Sequence, residues 1–92
     1  MIVRILTEGQ YRLDAPLLDR VNQLDNQLVE VVAKGNEAEF QRLFKEMLSL
    51  VMEQGREVPL DELVESDIVL PAPDLSLKEA RQLFLGPGLI PG

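Results

Sequence analysis

The chain contains no cysteine and no histidine. The first absence excludes disulfide staples and thiol chemistry, and fits a cytoplasmic protein. The second removes the commonest general base and the commonest metal ligand together. Tryptophan is also absent, and aromatic residues make up 4% of the chain: Tyr11, Phe40, Phe44 and Phe84. So few rings leave little for base stacking, and Leu, Val and Ile must fill any core. Basic residues are outnumbered, 9 against 16 acids, for a net charge of −7. Affinity for nucleic acid rests on Lys and Arg neutralising phosphate, and docking on anionic lipid wants clustered bases, so this balance argues against both. No apolar run approaches the roughly 20 residues of a membrane span. The opening MIVRILTEG has neither the basic start nor the long apolar stretch of a cleavable signal.

What is there is a well-punctuated small fold. Ninety-two residues, 46% of them hydrophobic, suit one globular domain spanning 1–92. Ile2 to Thr7 and Gln10 to Leu13 flank the polar pair Glu8-Gly9, a hairpin pattern with strands over 2–7 and 10–13. Asp14 is placed to cap a helix with Pro16 in its first turn. Leu17, Val21, Leu24, Leu28 and Val31 then recur at helical spacing until Lys34 and the terminator Gly35. Asn36 opens a second helix, with Glu39 in the capping-box position. A wide stripe follows, Phe40, Leu43, Phe44, Met47, Leu48, Leu50 and Val51, ended by Gly55. The two-residue link forces the helices back antiparallel. The segment PLDELV, 59–64, reads as a single helical turn or an irregular stretch. Residues 67–70 suit a third strand beside the hairpin, and Ser76 with Glu79 forms a capping box opening a last helix. Leu77, Ala80, Leu83 and Phe84 are expected on its inner face. The predicted fold is α+β: a small, mainly antiparallel sheet covered by an αα-hairpin, with a short C-terminal helix.

No chemistry-bearing motif emerges. Asp61, Glu62, Glu65 and Asp67 crowd four carboxylates into seven residues, but the calcium-loop pattern is missing and a solvated turn explains them, with Asp67 capping or ending a strand. Glu8 with Tyr11 or Asp14 could make an acid–base pair only in a sheltered pocket, and they fall at a hairpin tip and a helix cap. Gly86-Pro87-Gly88 lacks the lysine of a phosphate loop. No catalytic residue, metal ligand or cofactor is expected. The second helix, however, has more apolar surface than one partner helix covers. Its remainder packs on the sheet, on a second copy of the chain, or on another protein.

Several stretches together resemble a known family. "MIVRILTEGQYRLD", "LDRVNQLDNQLVEVVAKGNEAEFQRLFKEMLSLV", "PLDELVESDIVLPAPDLSLKEARQLF" and the closing "GLIPG" are similar to the PspA-associated domain family, PspAA. The resemblance implies a non-enzymatic accessory or adaptor of phage-shock protein A, a long helical coiled-coil protein acting in envelope stress at the cytoplasmic membrane face. It implies that membrane contact is indirect, through that partner, and it brings no catalytic residues. Phe40, Phe44, Met47, Val51, Leu89 and Ile90 are the expected partner-binding residues. The rival is a homodimer or larger self-assembly. An enzyme ranks third and would need a deep pocket lined by Glu8, Tyr11, Arg4 or Arg12. Leu89 and Ile90 follow the turn GPG, which suits folding back as a core plug, with a hook for a partner as the alternative.

Overall fold

A computed structural model of the chain describes residues 1–84. Strand β1 (Ile2–Ile5) and strand β2 (Gly9–Arg12) form an antiparallel hairpin in which Ile5 faces Gly9 and Ile2 faces Arg12. Val3 and Ile5 turn inward and Arg4 outward, the alternation a one-sided sheet demands. The first strand is shorter than the expected 2–7. Leu6 to Glu8 are the turn, closed by the Glu8 amide donating to the Ile5 carbonyl at 3.0 Å. Gly9, expected in the turn, instead enters the ladder, so Thr7 takes the left-handed conformation, φ 72°. That is a costly region for a β-branched residue.

Helix α1 (Ala15–Lys34) begins where the Asp14 carboxylate accepts the Leu17 amide at 2.9 Å. It ends at Gly35, φ 70°, with the Gly35 amide donating to Val32 and the Asn36 amide to Val31. This left-handed cap reverses the chain directly into helix α2 (Glu37–Gln54). The Asn36 side chain accepts the Glu39 amide at 3.2 Å, but the return half of the expected capping box is absent. The Asn36 amide is already held by Val31, and the Glu39 carboxylate is taken by Arg42 at 2.8 and 3.1 Å.

After α2 comes a strand that the sequence pattern does not announce. Strand β3 (Arg56–Glu57) pairs antiparallel with β2, Tyr11 facing Glu57. Two exposed charged residues carry no strand signal; Gly55 simply delivers them to the edge of β2. Strand β4 (Ile68–Leu70) pairs with β1, as expected of 67–70, and does so in parallel, Val3 facing Ile68. The sheet is therefore four-stranded, ordered β3-β2-β1-β4, with two antiparallel pairings and one parallel. Helix α3 (Leu77–Phe84) packs on α1. Its capping box is complete, with Ser76 Oγ accepting the Glu79 amide at 3.2 Å and Glu79 accepting the Ser76 amide at 3.3 Å. Ala80 is fully buried and Leu77 half-buried, while the side chains of Leu83 and Phe84 lie outside the described residues.

One apolar core joins all three layers: Val3, Ile5 and Leu70 from the sheet, Val21 and Leu28 from α1, and Phe40, Phe44 and Met47 from α2. The rings of Phe40 and Phe44, one turn apart, stack at 5.4 Å. On α1 the buried line is Leu17, Val21, Asp25, Leu28 and Val32, with Leu24 and Val31 at its rim. The helical spacing expected of α1 holds, with the buried line passing through Asp25 and Val32 in place of Leu24 and Val31, and α1 packs against both α2 and α3.

Candidate interaction surface

The four described residues expected to meet a partner are core. Phe40, Met47 and Val51 are 0% exposed and Phe44 is 1% exposed. The α2 stripe belongs to the same apolar core as residues of α1 and the sheet. Phe44 nevertheless lines the wall of a groove of about 400 Å³ together with Leu48 and Met52. Leu89 and Ile90 lie outside the described residues.

The apolar side chains that do reach water sit elsewhere. Leu60 is 97% exposed and Leu63 is 96% exposed, both in the segment between β3 and β4. The backbone beneath them is held in place. The Val58 side chain is buried, and its amide donates to the Gln10 carbonyl at 2.9 Å. Glu62 donates to the Pro59 carbonyl at 3.0 Å, closing a turn. Gln10 Nε2 reaches across to the Val64 carbonyl at 3.1 Å and to Ser66 Oγ at 2.8 Å. Arg4 Nε donates to Ser66 Oγ at 3.4 Å, and the Arg12 guanidinium pairs with the Glu62 carboxylate. Arg4 and Gln10 face each other across the hairpin and Arg12 lies two residues beyond Gln10, all on the face turned away from the core, so sheet geometry aligns three polar anchors under one loop. The loop then ends at Asp67, whose Oδ2 accepts the Ile2 amide at 2.7 Å.

The acidic cluster is dispersed by these roles. Among the described residues no group of three acidic side chains could hold a metal ion. Glu62 is matched by Arg12 and Asp67 by a backbone amide, as the expected strand-ending role for Asp67 requires. Asp61 and Glu65 carry no ion pair among the described residues and are exposed.

The proposed acid–base groups are not gathered. Tyr11 faces the core while Arg4 and Arg12 face out, and Asp14 is committed to the α1 cap. Burial pushes the Tyr11 hydroxyl above its usual value, and the negative charges of Glu57 and Glu8 add to the shift. A groove of about 450 Å³ at the open end of the hairpin is lined by Met1, Arg12, Asp14, Gln54, Arg56 and Asp67, and of the four side chains an enzyme site was expected to use it holds Arg12. On α2, the hydrogen bonds from Arg42 hold the Glu39 carboxyl below its usual value, an exposed first-turn pair of little energetic weight.

Two features escaped the sequence reading. Asp25 is 0% exposed, sitting in an apolar slot of α1 between Val21 and Leu28, and polar patterning gives no sign of it. Leu60, Leu63 and Val64 carry i, i+3, i+4 spacing, which suggests a core turn; the usable signal was four acids packed around two leucines in the eight residues after Pro59.

Fold and surface together define a small α+β protein whose distinctive outward feature is a fixed, acidic, leucine-bearing loop. The chain belongs to the PspAA family: the model of that family, PspA-associated protein, matches residues 1–92. No curated protein and no solved structure matches it. No helix among the described residues is long and apolar enough to cross a membrane.

Proposed function

We propose that this chain is a non-enzymatic accessory protein that binds and modulates a phage-shock protein A-type coiled-coil protein in the envelope stress response. The observation that carries the reading is the family match across all 92 residues, whose description is association with PspA. The acidic balance supports a protein partner over nucleic acid or an anionic bilayer, so membrane contact runs through the partner at the cytoplasmic face. Leu60 and Leu63, almost wholly exposed, support it as well, since apolar side chains held in water mark contact surfaces more often than catalytic ones. The whole of 1–92 acts as one domain in this reading, without cofactor.

The test is direct binding between the purified full chain and the phage-shock protein A of the same source, measured by isothermal calorimetry with both proteins folded. Saturable binding is expected, and a featureless titration at concentrations well above micromolar sinks the reading. Sedimentation over a range of concentrations addresses the rival: an accessory protein runs as a monomer or weak dimer, a structural self-assembly as a tight oligomer.

A further inference from the structure

We propose that the acidic loop over residues 58–66 is where this protein meets its partner, and that it takes a helical surface whose apolar stripe is flanked by Lys and Arg. The proposal rests on the reading that the chain binds a phage-shock protein A-type protein, and adds the place and the chemistry.

Leu60 and Leu63 stand in water although the fold has an apolar core for such residues. They cannot lie down onto it, because the backbone on either side is tied to the sheet through Gln10, and Glu62 is tied through Arg12. A loop ordered in advance loses little freedom on binding, so the contact area of its side chains is expressed as affinity. Beside Leu60, Leu63 and Val64 lies a groove of about 150 Å³ floored by Arg4 and Gln10, room for an apolar side chain from the other molecule.

Charge selects the occupant. Asp61 and Glu65 flank the leucines without an ion pair among the described residues, on a chain of net charge −7. A second copy would bring the same carboxylates into register, and an anionic bilayer would repel them. A basic-flanked apolar stripe on a helix satisfies both parts at once: leucines into the stripe, Asp61 and Glu65 against the flanking bases.

The test measures the dissociation constant of the full chain for the phage-shock protein A of the same source at two salt concentrations. It compares the wild type with Leu60→Ser/Leu63→Ser and with Asp61→Lys/Glu65→Lys, alongside thermal melts of all three. The leucine variant is expected to bind at least about tenfold more weakly, in line with the loss of buried apolar area, with an unchanged melt. The charge variant is expected to bind more weakly at low salt and to lose most of the salt dependence. Both variants binding like the wild type overturns the proposal and leaves the functional reading standing. A wild-type chain that does not bind at all overturns both. Leucine-dependent dimerisation in sedimentation, or leucine-dependent pelleting with phosphatidylglycerol vesicles, assigns the loop to another occupant and overturns the proposal.

Discussion

Asp67 and Ile2 hold each other by two hydrogen bonds across 65 residues of chain: the Ile2 amide donates to Asp67 Oδ2 at 2.7 Å, and the Asp67 amide donates to the Ile2 carbonyl at 2.8 Å. The carboxylate stands where the carbonyl of a neighbouring strand would. It thereby fixes the start of β4 against the start of β1 and sets the register that puts Val3 opposite Ile68.

Asp67→Ala should therefore destabilise the fold by about 1–2 kcal/mol, because it removes a charged acceptor and leaves a strand amide without its partner. For a chain of this size that corresponds to a melting temperature lower by roughly 5–10 °C. Asp67→Asn keeps an acceptor and should cost less. Circular dichroism melts of the two variants check the order, and equal losses would contradict the hydrogen-bonding role.

Gly55 ends α2 for a reason different from the left-handed cap at Gly35. Its φ of −73° suits any residue; what it lacks is room. A Cβ there would lie 2.5 Å from the Val51 carbonyl oxygen and 2.9 Å from Leu13 Cδ2. At Gly35 the nearest atom is the end of the flexible Arg81 side chain, so backbone strain alone opposes substitution. Gly55→Ala is expected to cost ~2–3 kcal/mol through overpacking, against ~1 kcal/mol for Gly35→Ala. Urea unfolding with unchanged slope gives both values.

What could be read from the sequence follows the range of the interactions. Helix ends were legible because their causes are local: Asp14, Gly35, Asn36 and Ser76 each act within a few residues of the backbone groups they satisfy. The pairing of β1 with β4 was foreseen, yet nothing in either strand encodes their parallel direction. β3 was invisible, since Arg56 and Glu57 become a strand only by landing beside β2. The width of the α2 stripe is evident, but what covers it is a long-range fact, so the sequence leaves the sheet, a second copy and another protein as alternatives; Phe40, Phe44, Met47 and Val51, the expected partner-binding residues, are buried in the folded chain. Leu60 and Leu63 have the spacing of a helical turn yet stand in water, because such spacing says nothing of whether a core lies within reach.

The burial of Phe44 has a measurable consequence. Phe44→Ala should cost ~3–5 kcal/mol, since it empties a close-packed site beside Phe40 and the remaining core closes the gap only in part. Any loss of partner binding by this variant should track its loss of folded protein and vanish at a temperature where it is still folded. Leu63→Ser should leave the melt within experimental scatter. A Phe44→Ala chain as stable as the wild type would show that the ring is not part of the core.

Tyr11 offers a spectroscopic check on the sheet–helix packing. It is the only tyrosine and there is no tryptophan, so the ultraviolet absorbance of phenol ionisation reports this one hydroxyl. Burial disfavours the phenolate, and Glu57 and then Glu8 add negative charge nearby. The folded chain thus holds this proton more tightly than the unfolded chain, whose tyrosine titrates near the usual value of about 10. The stabilising contribution is fully present below pH ~10 and is lost as pH rises through the folded value. An absorbance titration of the native protein should show a midpoint above that of the protein in denaturant. Glu57→Gln should lower the native midpoint more than Glu8→Gln, because Glu57 makes the larger electrostatic contribution. Tyr11→Phe should remove this part of the alkaline loss of stability. A native midpoint equal to the denatured one would mean that the ring is solvated, and that β2 does not pack against the helices as described.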